Sequence, residues 1–262
     1  MNEKVVLAMV TYYPDPEGRD KIRFTLALNT VRNAVAAEHG VVVVDDSPSL
    51  PVSGPYVSKR LAEVGARVFP QLHRCLGPAK RQSFFHALEL CVARSHAGIL
   101  ATEAEKDMAP DIPRMLAALE QQDCSICVPR RTSETWPTWP THQQRTEKEA
   151  NAGFEAATNR NFDVMFGPVL FTLEAASHFV IQEPAKVGFP DQYAQHFALE
   201  QATFAGRRIC ECDSSFTYPA AQRAEEEGAL SDEMRQKRIR QRDTLITGYE
   251  HVARFMKQLA QS

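Results

Sequence analysis

The sequence has no apolar run approaching the ~20 residues that cross a bilayer, so it predicts no helical membrane span. It also has no excess of basic charge. Thirty Lys and Arg stand against 33 Asp and Glu, a formal charge of −3, which provides no electrostatic footprint for nucleic acid or an anionic membrane. A nucleic-acid partner is therefore not favoured, although Arg207-Arg208 and residues 235–242 form local basic patches. The first residues lack the charged start and long apolar core of a signal peptide, which makes a cytoplasmic protein the simplest expectation. Internal repeats and low-complexity segments are absent.

Cysteine is scarce, and its spacing is poorly suited to metal. Cys124-x-x-Cys127 and Cys210-x-Cys212 invite comparison with a four-thiolate zinc site. Both pairs lie in runs that read as strands, where successive side chains point to opposite faces. Cys124 and Cys127 would then diverge, and buried reduced thiols are the favoured reading over zinc.

What the chain does have is a strongly apolar strand that ends in acid. Residues 41–46 read Val-Val-Val-Val-Asp-Asp, followed by Ser47-Pro48-Ser49. Four β-branched residues suit a strand covered on both faces. The proline-containing segment after them forces a turn. In a parallel sheet the carboxyl ends of the strands form the ligand crevice, so Asp45 and Asp46 would stand at a binding site.

The surrounding pattern supports that placement. Strand signals at 4–10, 41–44, 66–69, 98–102 and 124–128 alternate with helical signals at 20–38, 57–64, 79–95 and 110–121. This predicts an α/β domain with a mostly parallel, Rossmann-like central sheet and flanking helices. Beyond it, residues 130–145 hold both tryptophans and read as a long loop. Helices follow at 147–159, 173–179 and 197–205, and strands at 164–171 and 207–212. Residues 224–260 predict one or two polar, Arg-rich helices, with a break near Gly248. The expected division is a catalytic domain over 1–220 and a C-terminal helical extension over 221–262. Within the domain, 1–128 would form a nucleotide-binding half and 129–220 an acceptor half.

A second strand also ends in acid: Ile99-Leu-Ala-Thr-Glu103-Ala-Glu105. Clustered carboxylates repel unless a cation or a donor-rich ligand offsets them. Oxygen ligands of this kind suit Mg²⁺ or Mn²⁺ shared with substrate phosphates. A nucleotide also brings base and ribose donors that a carboxylate can accept.

Four segments together resemble the GT-A fold nucleotide-sugar glycosyltransferases, most of all the broad family-2-like group. They are the opening strand with Val10-Thr11-Tyr12, the Val-Val-Val-Asp45-Asp46-Ser47 run, Gly77-Pro-Ala-Lys80-Arg81 at the start of a helix, and Glu103-x-Glu105 where that family has Asp-x-Asp. The second half, with Val187-Gly-Phe-Pro-Asp191-Gln192 before a helix ending at Gly206, is similar in layout to the mannosylglycerate-synthase branch.

The resemblance implies transfer of one sugar from a UDP- or GDP-sugar donor to an acceptor hydroxyl. It implies that Asp45 accepts from the base while Thr11 and Tyr13 frame base and ribose. Arg81 and Lys80 would contact base or phosphate, and Glu103 the ribose or a metal-bound water. Glu105 would ligate manganese or magnesium. Asp191 would be the catalytic acid-base residue of an inverting enzyme, with His196 and Glu200 as fallbacks; a retaining enzyme would need no such base. Helical Glu200 reads more readily as surface. Trp136 and Trp139 would form an acceptor wall, or else pin their loop to the body.

Two departures stand out. Glu-x-Glu replaces Asp-x-Asp, and no histidine follows the last strand, where Ser215-Phe-Thr-Tyr218 stands. The alternatives are a nucleotidyltransferase, whose glycine-rich loop after the first strand is absent here, and a non-catalytic nucleotide-binding module with a degenerate metal motif. For the basic C-terminal helices, homodimer formation, contact with a polyanion and plain solvation all stay open.

Overall fold

The structure is a computed structural model that describes residues 4–49, 55–73, 75–228 and 230–259. Part of the proline- and serine-rich connection after Asp46 and the last residue of the expected C-terminal helix, Ala260, lie outside that set. Seven strands form one sheet in the order β3-β2-β1-β4-β6-β5-β7. They are β1 (Val5–Thr11), β2 (Gly40–Asp45), β3 (Arg67–Pro70), β4 (Gly98–Ala101), β5 (Ile126–Arg131), β6 (Val169–Thr172) and β7 (Ile209–Ser214). All neighbouring pairs are parallel except those made by β6, which runs antiparallel to both β4 and β5.

The helices are α1 (Lys21–Ala36), α2 (Tyr56–Glu63), α3 (Leu76–Arg94), α4 (Ile112–Gln121), α5 (Thr141–Thr158), α6 (Leu173–Val180), α7 (Ala194–Phe204), α8 (Ala220–Glu227) and α9 (Ser231–Leu259). The strands are apolar on both sides because both faces are covered. Val6, Ala8 and Val42 point into a core shared with α3, α5, α6, α7 and α9. Val5, Leu7, Met9, Val41 and Val43 point the other way, into a core with α1, α2 and α4.

The C-terminal extension is built differently from its sequence pattern. No break occurs at Gly248, because α9 runs unbroken from Ser231 to Leu259. That glycine is there for packing: a Cβ would stand 2.8 Å from the Phe189 ring. Leu245, Tyr249 and Val252 are buried in the core beside it. The first turn of α9 is tied to the segment before α1 by Arg19, which donates to both Glu233 carboxylate oxygens at 3.1 and 2.9 Å.

Residues 130–145 are not one long loop. β5 continues to Arg131, a single 3-10 turn covers Trp136–Thr138, and α5 begins at Thr141. The reason is a buried ion cluster. Arg131 is bound to Asp163 and Glu147, lies 3.5 Å from the Trp136 ring centre and 4.5 Å from that of Trp139. Polar residues are thus interior here, which defeats a reading based on hydropathy. Similarly, the strand expected from Val164 begins only at Val169, after a 3-10 turn at Val164–Phe166.

Candidate active site

The carboxyl ends of β1, β2 and β4 meet on one edge of the sheet. Thr11 and Asp45 are register partners at the ends of β1 and β2. The Thr11 hydroxyl donates to Asp45 Oδ1 at 2.8 Å, as does Ser47 Oγ at 2.6 Å, and Ser58 Oγ from α2 donates to Oδ2 at 2.5 Å. Asp45 is only 6% exposed, so three hydroxyls supply the hydrogen bonds that a buried carboxylate requires. Asp46, next along, is exposed and joins none of these bonds.

Tyr13 does not frame a ligand with its ring. It is fully buried against Phe24, ring centres 5.5 Å apart, with the Arg23 guanidinium 5.2 Å above it. Burial, then the Glu105 carboxylate that accepts from its hydroxyl, pushes its pKa well above the ordinary phenol value. Tyr12, the preceding residue, is the exposed aromatic at this edge.

Glu105 and Glu103 sit just past β4. Glu105 pairs with Arg23 of α1 at 2.6 Å, and Arg23 is steadied by Asp20 at 3.4 Å. Glu103 pairs with Lys106, whose ammonium also donates to the Phe166 carbonyl and lies 5.0 Å from the Trp139 ring centre. The Glu103 side chain is 59% exposed although protein surrounds it on several sides, so it stands on the floor of an open cleft. Partial desolvation there opposes its charge. Lys106, Arg238 and Lys80 outweigh that and hold its pKa below the usual carboxylate value.

Arg81 and Asp191 come from opposite halves of the chain and form a bidentate pair at 2.5 and 3.0 Å. Such a fork is among the stronger polar contacts available to side chains. Gly77, one turn earlier on α3, lets the two segments touch, because a Cβ there would collide with the Asp191 backbone and carboxylate. Lys80 precedes Arg81 on α3, within the field of Glu103, Lys106 and His196. Its pKa is lowered by burial and by Lys106, and among the described residues it has no carboxylate at ion-pair distance.

His196, on α7, accepts or donates at 2.8 Å with the Tyr249 hydroxyl. Burial and then Lys80 lower its pKa to about 3, so it is neutral. Glu200 is not on the surface. It is 0% exposed, both carboxylate oxygens lack a hydrogen-bond partner, and burial pushes its pKa up to about 9.

Trp139 is likewise unavailable to an acceptor. Its ring is 0% exposed and packs on Tyr218, Phe216 and Phe166. Trp136 is partly exposed but one face is covered by Arg131, so the pair pins its loop. The cysteines are free thiols; Cys127 lies beside Cys210 in register and 3.7 Å from Cys212 Sγ.

The fold can now be compared with known structures. No family model matches the sequence, and no curated protein matches it either. Solved structures do match. Mannosyl-3-phosphoglycerate synthase from Rubrobacter xylanophilus has a TM-score of 0.54 and 11% identity, with 99% of this chain and 76% of that one covered. Glucosyl-3-phosphoglycerate synthase from Mycobacterium tuberculosis, in complex with Mn²⁺, UDP and glucosyl-3-phosphoglycerate, has a TM-score of 0.53 and 10% identity, with 94% and 80% covered. The fold is GT-A-like.

A resident divalent metal, as implied by the resemblance, does not fit the donor set found here. Glu105 is held by Arg23 and Tyr13, and Glu103 by Lys106. Among the described residues no group of three His, Cys, Asp or Glu side chains is arranged to hold a metal ion. Hard cations need several oxygen ligands at once, and here both glutamates already face a protein cation.

Sequence reasoning missed four cations of this cleft. Arg23 and Lys106 carried no motif. Arg238 and its neighbour Lys237 lay in the basic run at 235–242, which signalled charge but gave no place for it.

Proposed function

We propose that the chain is a glycosyltransferase that moves a single sugar from a UDP- or GDP-sugar to an acceptor hydroxyl. The observation that carries this reading is the convergence of Asp45, Glu103, Arg81 and Asp191, from four separate segments, on the carboxyl edge of a GT-A-like sheet. Ligands of open α/β sheets bind in that crevice.

In this reading Asp45 accepts from the nucleoside base, with Thr11 and Ser58 orienting its carboxylate. The exposed Tyr12 ring offers the base a face to stack on. Glu103, open to solvent, accepts from ribose or sugar hydroxyls. Arg81 and Lys80 face the diphosphate. Arg81 also fixes Asp191, which takes the acceptor proton if the reaction inverts the anomeric centre; a retaining transfer uses no such base. For Asp191 to act, one of its oxygens must turn from Arg81 to the acceptor.

The nucleotidyltransferase alternative finds no support at the end of β1, where Thr11-Tyr12-Tyr13-Pro14 replaces a glycine-rich phosphate loop. No helix among the described residues is long and apolar enough to cross a membrane, which fits substrates taken from solution.

The test is a panel of UDP- and GDP-sugars incubated with the protein, with released nucleoside diphosphate as the readout. Slow hydrolysis of one donor, stimulated by an acceptor, is expected. If no donor is turned over and none binds, the proposal is wrong. The anomeric configuration of the product then decides the role of Asp191.

A further inference from the structure

We infer that the cleft neutralises the diphosphate of its nucleotide with three side-chain cations, Lys80, Lys237 and Arg238, and needs no divalent metal. This rests on the glycosyltransferase reading above.

Three observations converge. First, the two glutamates that stand at the metal position of related folds each have a resident cation: Arg23 at 2.6 Å from Glu105, and Lys106 on Glu103. A metal would have to displace both. Second, the cleft holds cations with no carboxylate of their own. Lys80 and Lys237 have none at ion-pair distance among the described residues. Arg238 reaches Glu147 only at 3.8 Å, and that carboxylate is already bound to Arg131. The Arg238 Nε is buried with no hydrogen-bond partner. A buried donor left unpaired is costly, and an anion in the cleft would satisfy it.

Third, these groups share the neighbourhood of Glu103. Lys80 and Arg238 both act on Glu103, and Lys237 is within the field of Glu103, Arg23 and Arg238. Burial lowers the pKa of Lys80, and the protein around the otherwise exposed Lys237, with Arg238 and Arg23, lowers that of Lys237, so both gain by meeting a negative ligand.

The cations are also held still. Lys80 is in the second turn of α3, a helix whose N-terminal end favours anions. Lys237 and Arg238 are on α9, which is clamped at one end by Arg19–Glu233 and further along by Arg242–Glu149 at 2.5 Å. Lys237, exposed, and Arg238, half-buried, thus stand on the side of the C-terminal helix toward Glu103.

The chemistry balances without metal. The bond between the anomeric carbon and the β-phosphate oxygen breaks, and its electron pair stays on that oxygen. The acceptor oxygen forms the new bond to the anomeric carbon, and its proton passes to a carboxylate or to solvent. The departing diphosphate gains one negative charge, and the side-chain cations stabilise it.

Binding of UDP and GDP, measured by calorimetry and by thermal melting, once in excess EDTA and once with Mn²⁺, tests this. The expected result is a Kd for one diphosphate that changes by no more than about twofold between the two conditions. In EDTA, Lys80→Gln and Lys237→Gln should each weaken it about tenfold, the order of one charge-assisted hydrogen bond. Arg238→Gln should weaken it to a similar extent, and the melting temperature without ligand checks that each variant folds. Binding that requires Mn²⁺, or lysine variants that bind like wild type in EDTA, overturns the metal-free assignment and leaves glycosyl transfer standing. No binding of either diphosphate in either condition removes both.

Discussion

Replacing Glu200 by Gln should stabilise the protein increasingly as pH rises, relative to wild type. The side chain is fully buried on α7, neither oxygen has a hydrogen-bond partner, and burial raises its pKa from 4.5 to about 9. Between those values the unfolded chain has lost this proton while the native state keeps it. Native protein then binds one more proton than unfolded, so stability falls as pH rises, by about 1.4 kcal/mol per unit. From about pH 5 to about pH 8 this single group costs about 4 kcal/mol, a large share of a typical folding free energy. Glutamine keeps the shape without ionising, and its amide carries a similar burial penalty at every pH. The buried neutral His196 and His39 titrate in both proteins and cancel in the difference. Urea denaturation of wild type and Glu200→Gln across that range is the assay. Their difference in unfolding free energy should grow by about 1.4 kcal/mol per pH unit. Parallel pH profiles would refute the reasoning, because they would mean that the carboxyl is ionised in the native state or has a polar partner.

Other predictions follow from single contacts. Arg131→Met leaves the buried carboxylates of Asp163 and Glu147 uncompensated and should lower stability by about 3–5 kcal/mol, read from urea midpoints. Trp139→Ala should cost about 3–5 kcal/mol for the cavity it leaves, while the less buried Trp136→Ala should cost distinctly less in the same assay. A double-mutant cycle of Arg81→Met and Asp191→Asn should show coupling of about 0.5–3 kcal/mol in stability, and additive effects would contradict the bidentate geometry. Ser58→Ala removes one donor to Asp45 and should weaken nucleotide binding with little change in the melting temperature; an unaltered Kd would separate Asp45 from the nucleoside.

The frame of the molecule was readable because its strands are short apolar runs with turns and helices at regular intervals. Residues 41–44 become part of β2, and the strand at 98–102 becomes β4 almost residue for residue. Periodicity failed where polar groups are interior. Arg131, Glu147 and Asp163 form a buried network, so the segment around the tryptophans reads as a loop and the helical pattern begins six residues after the true start of α5. Glu200 misled in the same way, since a glutamate on a helix normally faces water. At the cleft, single residues at strand ends were visible one by one. Their pairing was not, because Arg81 and Asp191 are 110 positions apart and nothing local links them. The occupation of Glu105 by Arg23 was equally hidden, and it changes what the acidic pair can do.

That same separation of Arg81 from Asp191 bears on how the protein acquires its cleft. Two chain segments so far apart come together only after much loop-closure entropy has been lost, which places the contact late in folding rather than in an early local nucleus. The helices and the β1–β2 pair can form before it. The proposed nucleotide site would then be among the last native features to form, and it would report on completion of the whole sheet rather than on the segment that supplies Asp45.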